Sequence, residues 1–141
     1  MRAYLKGKGC RVFGAPLDVV LFERSDKDRK KKDNSQNVFQ PDVFVVCDPK
    51  KIGANRIYGA PNFVAEVVSP SNDENDYIYK LNAYMMYGVK EYWIVDPDAK
   101  KIFVYAKNKK GFARPKVYTF EDKIKVGIFD DFEIDFNELR L

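Results

Sequence analysis

The stretch Asn62-Phe63-Val64-Ala65-Glu66-Val67-Val68-Ser69 decides the fold, because it is an apolar run with one carboxylate inside it. Its length and its valines are typical of a β-strand. Apolar residues at nearly every position predict a central strand that is covered on both faces. Side chains alternate between the faces of a strand, so Val64, Glu66 and Val68 share one side. The charge of Glu66 is therefore buried among valines unless a cation or hydrogen-bond donors meet it.

The segments around this strand predict an α/β fold with a mixed central sheet. Short apolar or alternating runs predict further strands at residues 17–23, 38–48, 92–95, 101–107 and 116–120. The intervening polar segments predict a loop at residues 49–61 and turns at residues 96–99 and 108–111. Residues 1–14 are interpreted as a segment that leads into the domain and forms no helix or strand of its own. Residues 128–141 form an acidic and aromatic tail, for which a short terminal helix is one interpretation.

One helix is expected directly after the central strand. Ser71-Asn72-Asp73-Glu74 is a capping-box pattern, in which the Ser71 hydroxyl and the Glu74 carboxylate satisfy backbone N–H groups. The helix should run to about Tyr87 and end at Gly88, which can take a positive φ. Four of its residues fall on one continuous stripe at helical spacing: Tyr77, Lys80, Tyr84 and Tyr87.

Length and composition indicate one soluble domain over residues 1–141. A chain of 141 residues with 45% hydrophobic residues can bury a core without disulfides or structural metals. The two cysteines, Cys10 and Cys47, do not form a disulfide framework or a zinc site, so we expect both to be reduced. No run is long enough to cross a bilayer and no secretory signal is present, so we expect a cytoplasmic protein without a membrane partner.

The absence of histidine limits the chemistry more than any other feature of the composition. It excludes serine–histidine and cysteine–histidine catalysis and removes the commonest zinc ligand. Hydrolysis would have to use carboxylates, lysine and a hard ion such as Mg²⁺ or Mn²⁺, without an organic cofactor. The net charge of +4 mildly favours an anionic partner.

Residues 25–37 are almost purely polar and rich in lysine, which predicts a mobile hairpin connection. One interpretation is a loop that contacts nucleic-acid phosphates, since clustered lysines gain affinity by releasing counterions. A simple solvated loop explains the same composition.

Asp42 and Glu66 are the candidate metal ligands. Asp42 follows Pro41 at the start of an apolar run, which places it at a strand edge. Two carboxylates from neighbouring strands can share one hard divalent ion and leave room for water and a phosphate oxygen. In the alternative interpretation, Asp42 caps a turn and Glu66 pairs with a lysine.

Lys80 is the candidate catalytic lysine, because its ammonium is set among the aromatic rings of the helix stripe. A partly desolvated lysine can orient an attacking water or stabilise a phosphoryl transition state. Lys80 could equally extend its charge to solvent from a packed stem. Asp76, one turn earlier, either holds the ammonium or favours the helix N-terminus.

Taken together, these residues resemble the bacterial Uma family of restriction-endonuclease-like proteins, within the PD-(D/E)XK nuclease superfamily. The resemblance spans about residues 10–105 in order. It is carried by Gln40-Pro41-Asp42-Val43, Val46-Cys47-Asp48, Gly59-Ala60-Pro61, Glu66 to Ser71, Asp76, Lys80, Tyr84 and Gly88 to Pro97.

The resemblance implies a restriction-endonuclease-like fold in which Asp42, Glu66 and the Val67 carbonyl bind Mg²⁺. It also implies that Lys80 on the helix supplies the catalytic lysine, whose usual place two residues after the glutamate is taken by Val68. Tyr92-Trp93-Ile94 would belong to the core, and Glu91 and Asp96 would be structural.

Two features depart from the family pattern. Asn62 stands where relatives usually have aspartate. Such proteins ordinarily begin with a helix-rich N-terminal segment, and we expect this chain to be truncated there relative to the family. A missing helix would expose one face of the sheet, so we expect a covering partner, a homodimer or an altered fold.

Two hypotheses of function follow. The first is an Mg²⁺-dependent endonuclease that hydrolyses DNA phosphodiester bonds through Asp42, Glu66 and Lys80. The second is a catalytically inactive nuclease-fold module that binds nucleic acid or protein.

Overall fold

A computed structural model describes residues 9–22, 37–69, 74–112 and 114–138 of the chain. The first three residues of the predicted capping box and nearly all of the predicted lysine-rich loop at residues 25–37 lie outside these ranges. The side chain of Asp76 also lies outside the described part, so its predicted contact with Lys80 stays a prediction.

The described residues contain twelve strands and one α-helix. The strands are β1 (Arg11–Gly14), β2 (Asp18–Val20), β3 (Val38–Phe39), β4 (Val43–Val46), β5 (Arg56–Tyr58), β6 (Phe63–Val67), β7 (Glu91–Asp96), β8 (Lys101–Asn108), β9 (Gly111–Phe112), β10 (Lys116–Thr119), β11 (Lys123–Lys125) and β12 (Glu133–Asp135). The helix α1 (Glu74–Tyr87) lies between β6 and β7, and a 3₁₀ turn (Pro49–Lys51) lies between β4 and β5.

The central sheet is mixed and has the strand order β1-β4-β6-β7-β8-β10, with β9 pairing to β8. Only β6 and β7 run parallel among these neighbours, and the other pairs are antiparallel. A parallel pair requires a crossover connection, and α1 supplies it. The predicted mixed sheet with one main helix after the strand at residues 62–69 is therefore confirmed.

Each face of the central sheet carries its own hydrophobic core. On one face, Phe44, Val64 and Tyr92 pack with Tyr84 of α1 and with the small sheet β3-β2-β5. On the other face, Phe63 and Trp93 pack with residues of the β11–β12 hairpin and its flanks. Because both faces are covered, β6 can be apolar at nearly every position, as the sequence predicted.

Local patterns predicted several elements correctly. The strands β6, β7, β8 and β10 lie within a few residues of their predicted bounds. The helix ends at Tyr87, and Gly88 adopts a φ of 102°, which an L-residue with a side chain rarely takes. The turn between β7 and β8 is closed by Asp96, whose Oδ1 accepts a hydrogen bond from the N–H of Ala99 at 3.1 Å.

Three predicted elements differ from the structure. The strand predicted at residues 38–48 is divided at Gln40-Pro41-Asp42 into β3 and β4, which join different sheets. The loop predicted at residues 49–61 contains the 3₁₀ turn and β5, which pairs in parallel with β2. The tail forms strand β12, paired with β11, and no described residue of it is helical. In the first two cases pairing with a distant strand overrides the local pattern, and in the third the tail pairs with the strand directly before it.

The N-terminal segment and the cysteines also require correction. Residues 1–14 were expected to lack an element of their own, but β1 pairs with β4 in the register Arg11↔Val46. One residue further along this register, Cys10 faces Cys47 with a Cα–Cα distance of 4.0 Å, and the two form a disulfide. The prediction that both cysteines are reduced is therefore wrong. Their separation of 37 residues gave no indication that the two segments pair.

No helix among the described residues has both the length and the apolar character that a membrane span requires.

Glu91, at the start of β7, is a buried carboxylate with purely internal contacts. It is 2% exposed. Its Oε1 accepts hydrogen bonds from the indole N–H of Trp93 at 2.8 Å and the backbone N–H of Gly127 at 3.1 Å. Its Oε2 accepts from the backbone N–H of Ile128 at 3.1 Å. The carboxylate therefore ties β7 to the segment that follows β11.

We expect Glu91→Gln to lower the free energy of unfolding by about 2 kcal/mol or more, because hydrogen bonds to a charged group are lost and a buried donor is left unpaired. Urea denaturation followed by circular dichroism measures the change. The control is Glu121→Gln, which makes the same substitution at an exposed position. An unchanged denaturation midpoint in Glu91→Gln would show that this anchor is not needed.

Candidate active site

Glu66 lies near the end of β6 and is 4% exposed. It shares a face with Val64, which belongs to the core beneath α1. Hydrogen-bond donors meet the buried charge, as the sequence required. The Tyr92 hydroxyl donates to Oε2 at 2.7 Å, while the Tyr84 hydroxyl approaches Oε1 at 3.4 Å. Glu66 Oε2 therefore has a short hydrogen bond, from Tyr92, and Oε1 has a long one, from Tyr84.

Lys80 of α1 brings a positive charge to the same carboxylate. Its Nζ lies 3.5 Å from Glu66 Oε1, and its side chain is 26% exposed. Tyr84 follows one helical turn later, so residues of a single helix face supply both contacts to Oε1. A contact of 3.5 Å is long for a charge-assisted hydrogen bond. The ammonium therefore reaches the carboxylate and remains open to solvent.

Asp42 lies directly before β4, which is the strand that pairs with β6. The antiparallel register pairs Val43 with Ala65, so one further step places Asp42 opposite Glu66. Directly opposed residues of neighbouring strands have adjacent side chains on one face. The Asp42 side chain is exposed, and its Oδ2 accepts a hydrogen bond from the backbone N–H of Val67 at 2.8 Å. The structure thus brings all three predicted residues, Asp42, Glu66 and Lys80, to one end of β6.

The electrostatics of Glu66 reflect an incompletely compensated buried charge. Burial raises the pKa of Glu66 above its ordinary value of 4.5, and the negative charge of Asp42 raises it further. The hydrogen bond from Tyr92 and the charge of Lys80 act in the opposite direction, but burial prevails and the pKa stays raised. An additional positive charge beside the carboxylate would favour its ionised form.

Tyr92 contacts Glu66, but the sequence did not identify it as part of the site, because the stretch around it was assigned only to the core. Its ring is indeed buried and packs edge-on against Tyr84. Burial and the neighbouring Glu66 charge raise the pKa of its hydroxyl, so it remains a donor at all ordinary pH values. A buried tyrosine in a central strand usually has a hydrogen-bond partner for its hydroxyl. This rule was the one indication in the sequence that Tyr92 contacts a polar group. The partner itself follows only from the register Val64↔Tyr92.

Val67 was the third predicted metal ligand, through its carbonyl oxygen. Its side chain is 50% exposed, and its N–H is already used by Asp42. The role of the carbonyl stays a prediction. Of the alternative interpretation, the pairing of Glu66 with a lysine is present. Asp42, in contrast, accepts its hydrogen bond from a residue of the neighbouring strand β6, 25 residues along the chain, and not from a turn.

The donor set fits a hard divalent ion. Asp42 and Glu66 offer carboxylate oxygens, the ligands that Mg²⁺ and Mn²⁺ prefer. The hydroxyl of Tyr77 on α1 is buried and has no hydrogen-bond partner within the described part of the chain. Within that same part, no three His, Cys, Asp or Glu residues form a metal-binding group. An ion here would therefore need ligands besides carboxylates, such as a backbone carbonyl, water or a phosphate oxygen.

We expect Tyr92→Phe to raise the pKa of Glu66 further, because the substitution removes the shortest hydrogen bond to the carboxylate. A raised carboxyl pKa favours the folded state below the unfolded value and loses that contribution as pH rises through the folded value. The substitution should therefore cost more stability at pH 8 than at pH 4, with about 1–3 kcal/mol lost at the higher pH.

A ¹³C NMR titration of the glutamate carboxyl carbons and urea denaturation at both pH values measure these effects. The control is Tyr105→Phe, since Tyr105 packs against the Tyr92 ring at 6.3 Å between centroids and gives Glu66 no hydrogen bond. Equal losses at pH 4 and pH 8 would contradict the assigned role of the hydroxyl.

Comparison with known proteins gives a relative and a structural neighbour. "Uncharacterized protein slr1290" from Synechocystis sp. is 34% identical over 109 residues, which are 77% of this chain and 52% of that protein. The chain therefore spans about half the length of this curated relative. A crystal structure described as a putative nuclease belonging to DUF820, from Anabaena variabilis, has a TM-score of 0.70. It covers 97% of this chain and 72% of its own, at 16% sequence identity, and therefore supports the fold alone.

A family profile identifies the chain itself. The profile of Uma2, described as "Putative restriction endonuclease", matches residues 1–137, which is nearly the whole sequence. The mixed sheet, its single crossover helix and this match agree with one another. The chain belongs to the Uma2 family, with a restriction-endonuclease-like α/β fold.

Proposed function

We propose that the chain is a metal-dependent endonuclease that hydrolyses DNA phosphodiester bonds, with Asp42, Glu66 and Lys80 as its catalytic residues. The observation that carries the proposal is the meeting of three groups at one end of β6. Lys80 lies 3.5 Å from Glu66, and the strand register places Asp42 opposite Glu66. Membership of a nuclease family supports this class of reaction.

In this proposal Asp42, Glu66 and the Val67 carbonyl hold Mg²⁺ or Mn²⁺. When bound, the ion would lower the pKa of a water molecule and offset charge on the phosphate. Glu66 is suited to this role because its buried carboxylate has only one short hydrogen bond from the residues that the structure describes. Asp42 is suited because its Oδ2 is fixed by the Val67 N–H, which limits the orientations of its carboxylate.

Lys80 has two tasks in this proposal. Its ammonium offsets the negative charge of Glu66 while the site is empty of substrate. Because the lysine side chain is partly exposed, it can also orient a water molecule or approach a phosphate oxygen. Tyr92 positions the Glu66 carboxylate through its hydrogen bond to Oε2, so Oε1 is the oxygen that faces Lys80.

The net charge of +4 supports an anionic substrate such as DNA. A homodimer or another protein partner remains a prediction from the sequence.

The alternative is a catalytically inactive nuclease-fold module that binds nucleic acid or protein. One observation favours it: each of the three groups already has a partner within the protein, since Glu66 pairs with Lys80 and Asp42 accepts a hydrogen bond from the Val67 N–H. Such a module would bind DNA without cleaving it and would need no metal ion.

We expect the protein to nick supercoiled plasmid DNA in Mg²⁺, and EDTA to abolish the activity. Glu66→Gln should reduce the rate at least about 100-fold, since disturbing even the groups around metal ligands costs about 10- to 100-fold. The substitution preserves shape and removes the charge. Glu121→Gln, at an exposed site far along the chain, is the control and should retain the wild-type rate. A folded Glu66→Gln protein with full activity would refute the assignment.

We expect Mn²⁺ to bind to the protein in isothermal titration calorimetry without DNA, and Asp42→Asn to weaken that binding at least about tenfold. Affinity should fall as pH is lowered through the raised pKa of Glu66, since protons and metal compete for the carboxylate. Asp98→Asn, at an exposed turn position, is the matched control. If wild-type protein binds no Mn²⁺ at neutral pH, the metal-dependent proposal fails and the inactive module is favoured.

A further inference from the structure

An open cavity with a volume of about 770 Å³ lies at the end of the central sheet opposite to Glu66. We call it the lysine cleft, after the three lysines in its lining, Lys90, Lys107 and Lys109. Asn62, Glu91 and Asn108 contribute its other polar side chains. The cavity has the size of pockets that bind small ligands, which measure about 300–1,000 Å³.

The lysine cleft is separate from the candidate active site. Asn62 directly precedes β6, whereas Glu66 lies near the opposite end of the same strand. Four residues of strand correspond to about 13 Å, at about 3.3 Å per residue. None of Asp42, Glu66 and Lys80 lines the cleft. A ligand here would therefore not occupy the position of a scissile phosphate at Glu66.

The acceptor atoms of the polar lining side chains are already used inside the protein. Both oxygens of Glu91 accept internal hydrogen bonds, as described above. The Asn62 Oδ1 accepts from the backbone N–H of Cys47 at 2.9 Å. The Asn108 Oδ1 accepts from the backbone N–H of Lys110 at 2.8 Å. These contacts fix the amide orientations, and each amide Nδ2 has no hydrogen-bond partner among the residues that the structure describes.

The groups left over in the lining are donors. The three lysine ammonium groups form no ion pair with any residue that the structure describes. The two amide Nδ2 groups add up to four further N–H donors. Glu91 contributes one negative charge, but that charge faces its internal donors, so the lining is positive overall. Such a lining suits an anion with many acceptor oxygens.

We propose that the lysine cleft binds a phosphate-bearing ligand through its phosphate oxygens. Phosphate offers several acceptor oxygens and charge to match the ammonium groups. No aromatic side chain occurs among the described residues of the lining, so a base has no ring on which to stack. Recognition therefore rests on phosphate and not on base identity. The phosphates come either from a free oligophosphate or nucleotide or from a nucleic-acid backbone.

Isothermal titration calorimetry with inorganic triphosphate and with a 12-base-pair DNA duplex, both in low salt and EDTA, tests the proposal. The triple variant Lys90→Gln, Lys107→Gln, Lys109→Gln should weaken binding at least tenfold for one or both probes. The charge-matched control, Lys101→Gln, Lys116→Gln, Lys123→Gln, removes three exposed lysines elsewhere and should stay within about twofold of wild type. Loss for triphosphate identifies a free phosphate ligand, and loss for the duplex alone identifies the nucleic-acid backbone.

Asn62→Asp provides a second variant. It keeps the acceptor for the Cys47 N–H, replaces the free amide by a carboxylate oxygen, and should weaken binding of the same probe. Circular dichroism checks the fold, and Mn²⁺ affinity should be unchanged in both variants, so failure of this proposal is distinguishable from failure of the metal site. Binding by neither probe, no loss in the lysine cleft variants, or an equal loss in the control would overturn the proposal.

Discussion

The buried carboxylate of Glu66 is the constraint on which the candidate site depends. A charge on the inner face of a doubly covered strand is costly unless donors surround it. Two elements supply those donors: α1 brings Lys80 and Tyr84, and β7 brings Tyr92. The parallel pairing of β6 with β7 requires the crossover that α1 provides. The fold that permits a central strand at β6 thus also delivers the groups that its glutamate needs.

The parts of the fold that local sequence predicted are those with strong periodicity or strong punctuation. The apolar run of β6, the turn between β7 and β8, and the helix stop at Gly88 are of this kind. The parts that differed depend on distant partners. Strand β5 exists because β2 lies beside it, and Cys10 meets Cys47 because β1 pairs with β4. Cysteine spacing and composition carry no information on such a register.

The same division applies to the candidate site. Asp42, Glu66 and Lys80 were chosen as candidates from residue type and position, because an acidic residue in an apolar strand and a lysine in an aromatic stripe are unusual in themselves. Tyr92 was assigned only to the core, since its hydroxyl contact follows from the pairing of Val64 with Tyr92 across two strands. The lysine cleft was not predicted either. Its lysines are unremarkable along the chain and gather only where the ends of several strands meet.

The two buried carboxylates of the central sheet differ in how they are satisfied. Glu91 accepts three hydrogen bonds of 2.8–3.1 Å from one indole and two backbone N–H groups, which are neutral and fixed by the fold. Among the described residues, Glu66 has one short hydrogen bond, and its other oxygen has contacts of 3.4 and 3.5 Å. The exposed carboxylate of Asp42 lies opposite Glu66 across the pair of strands β4 and β6, and its negative charge makes the ionised form of Glu66 less favourable. Since buried polar groups are ordinarily well paired, this difference supports ligand binding at Glu66 and an anchoring role for Glu91.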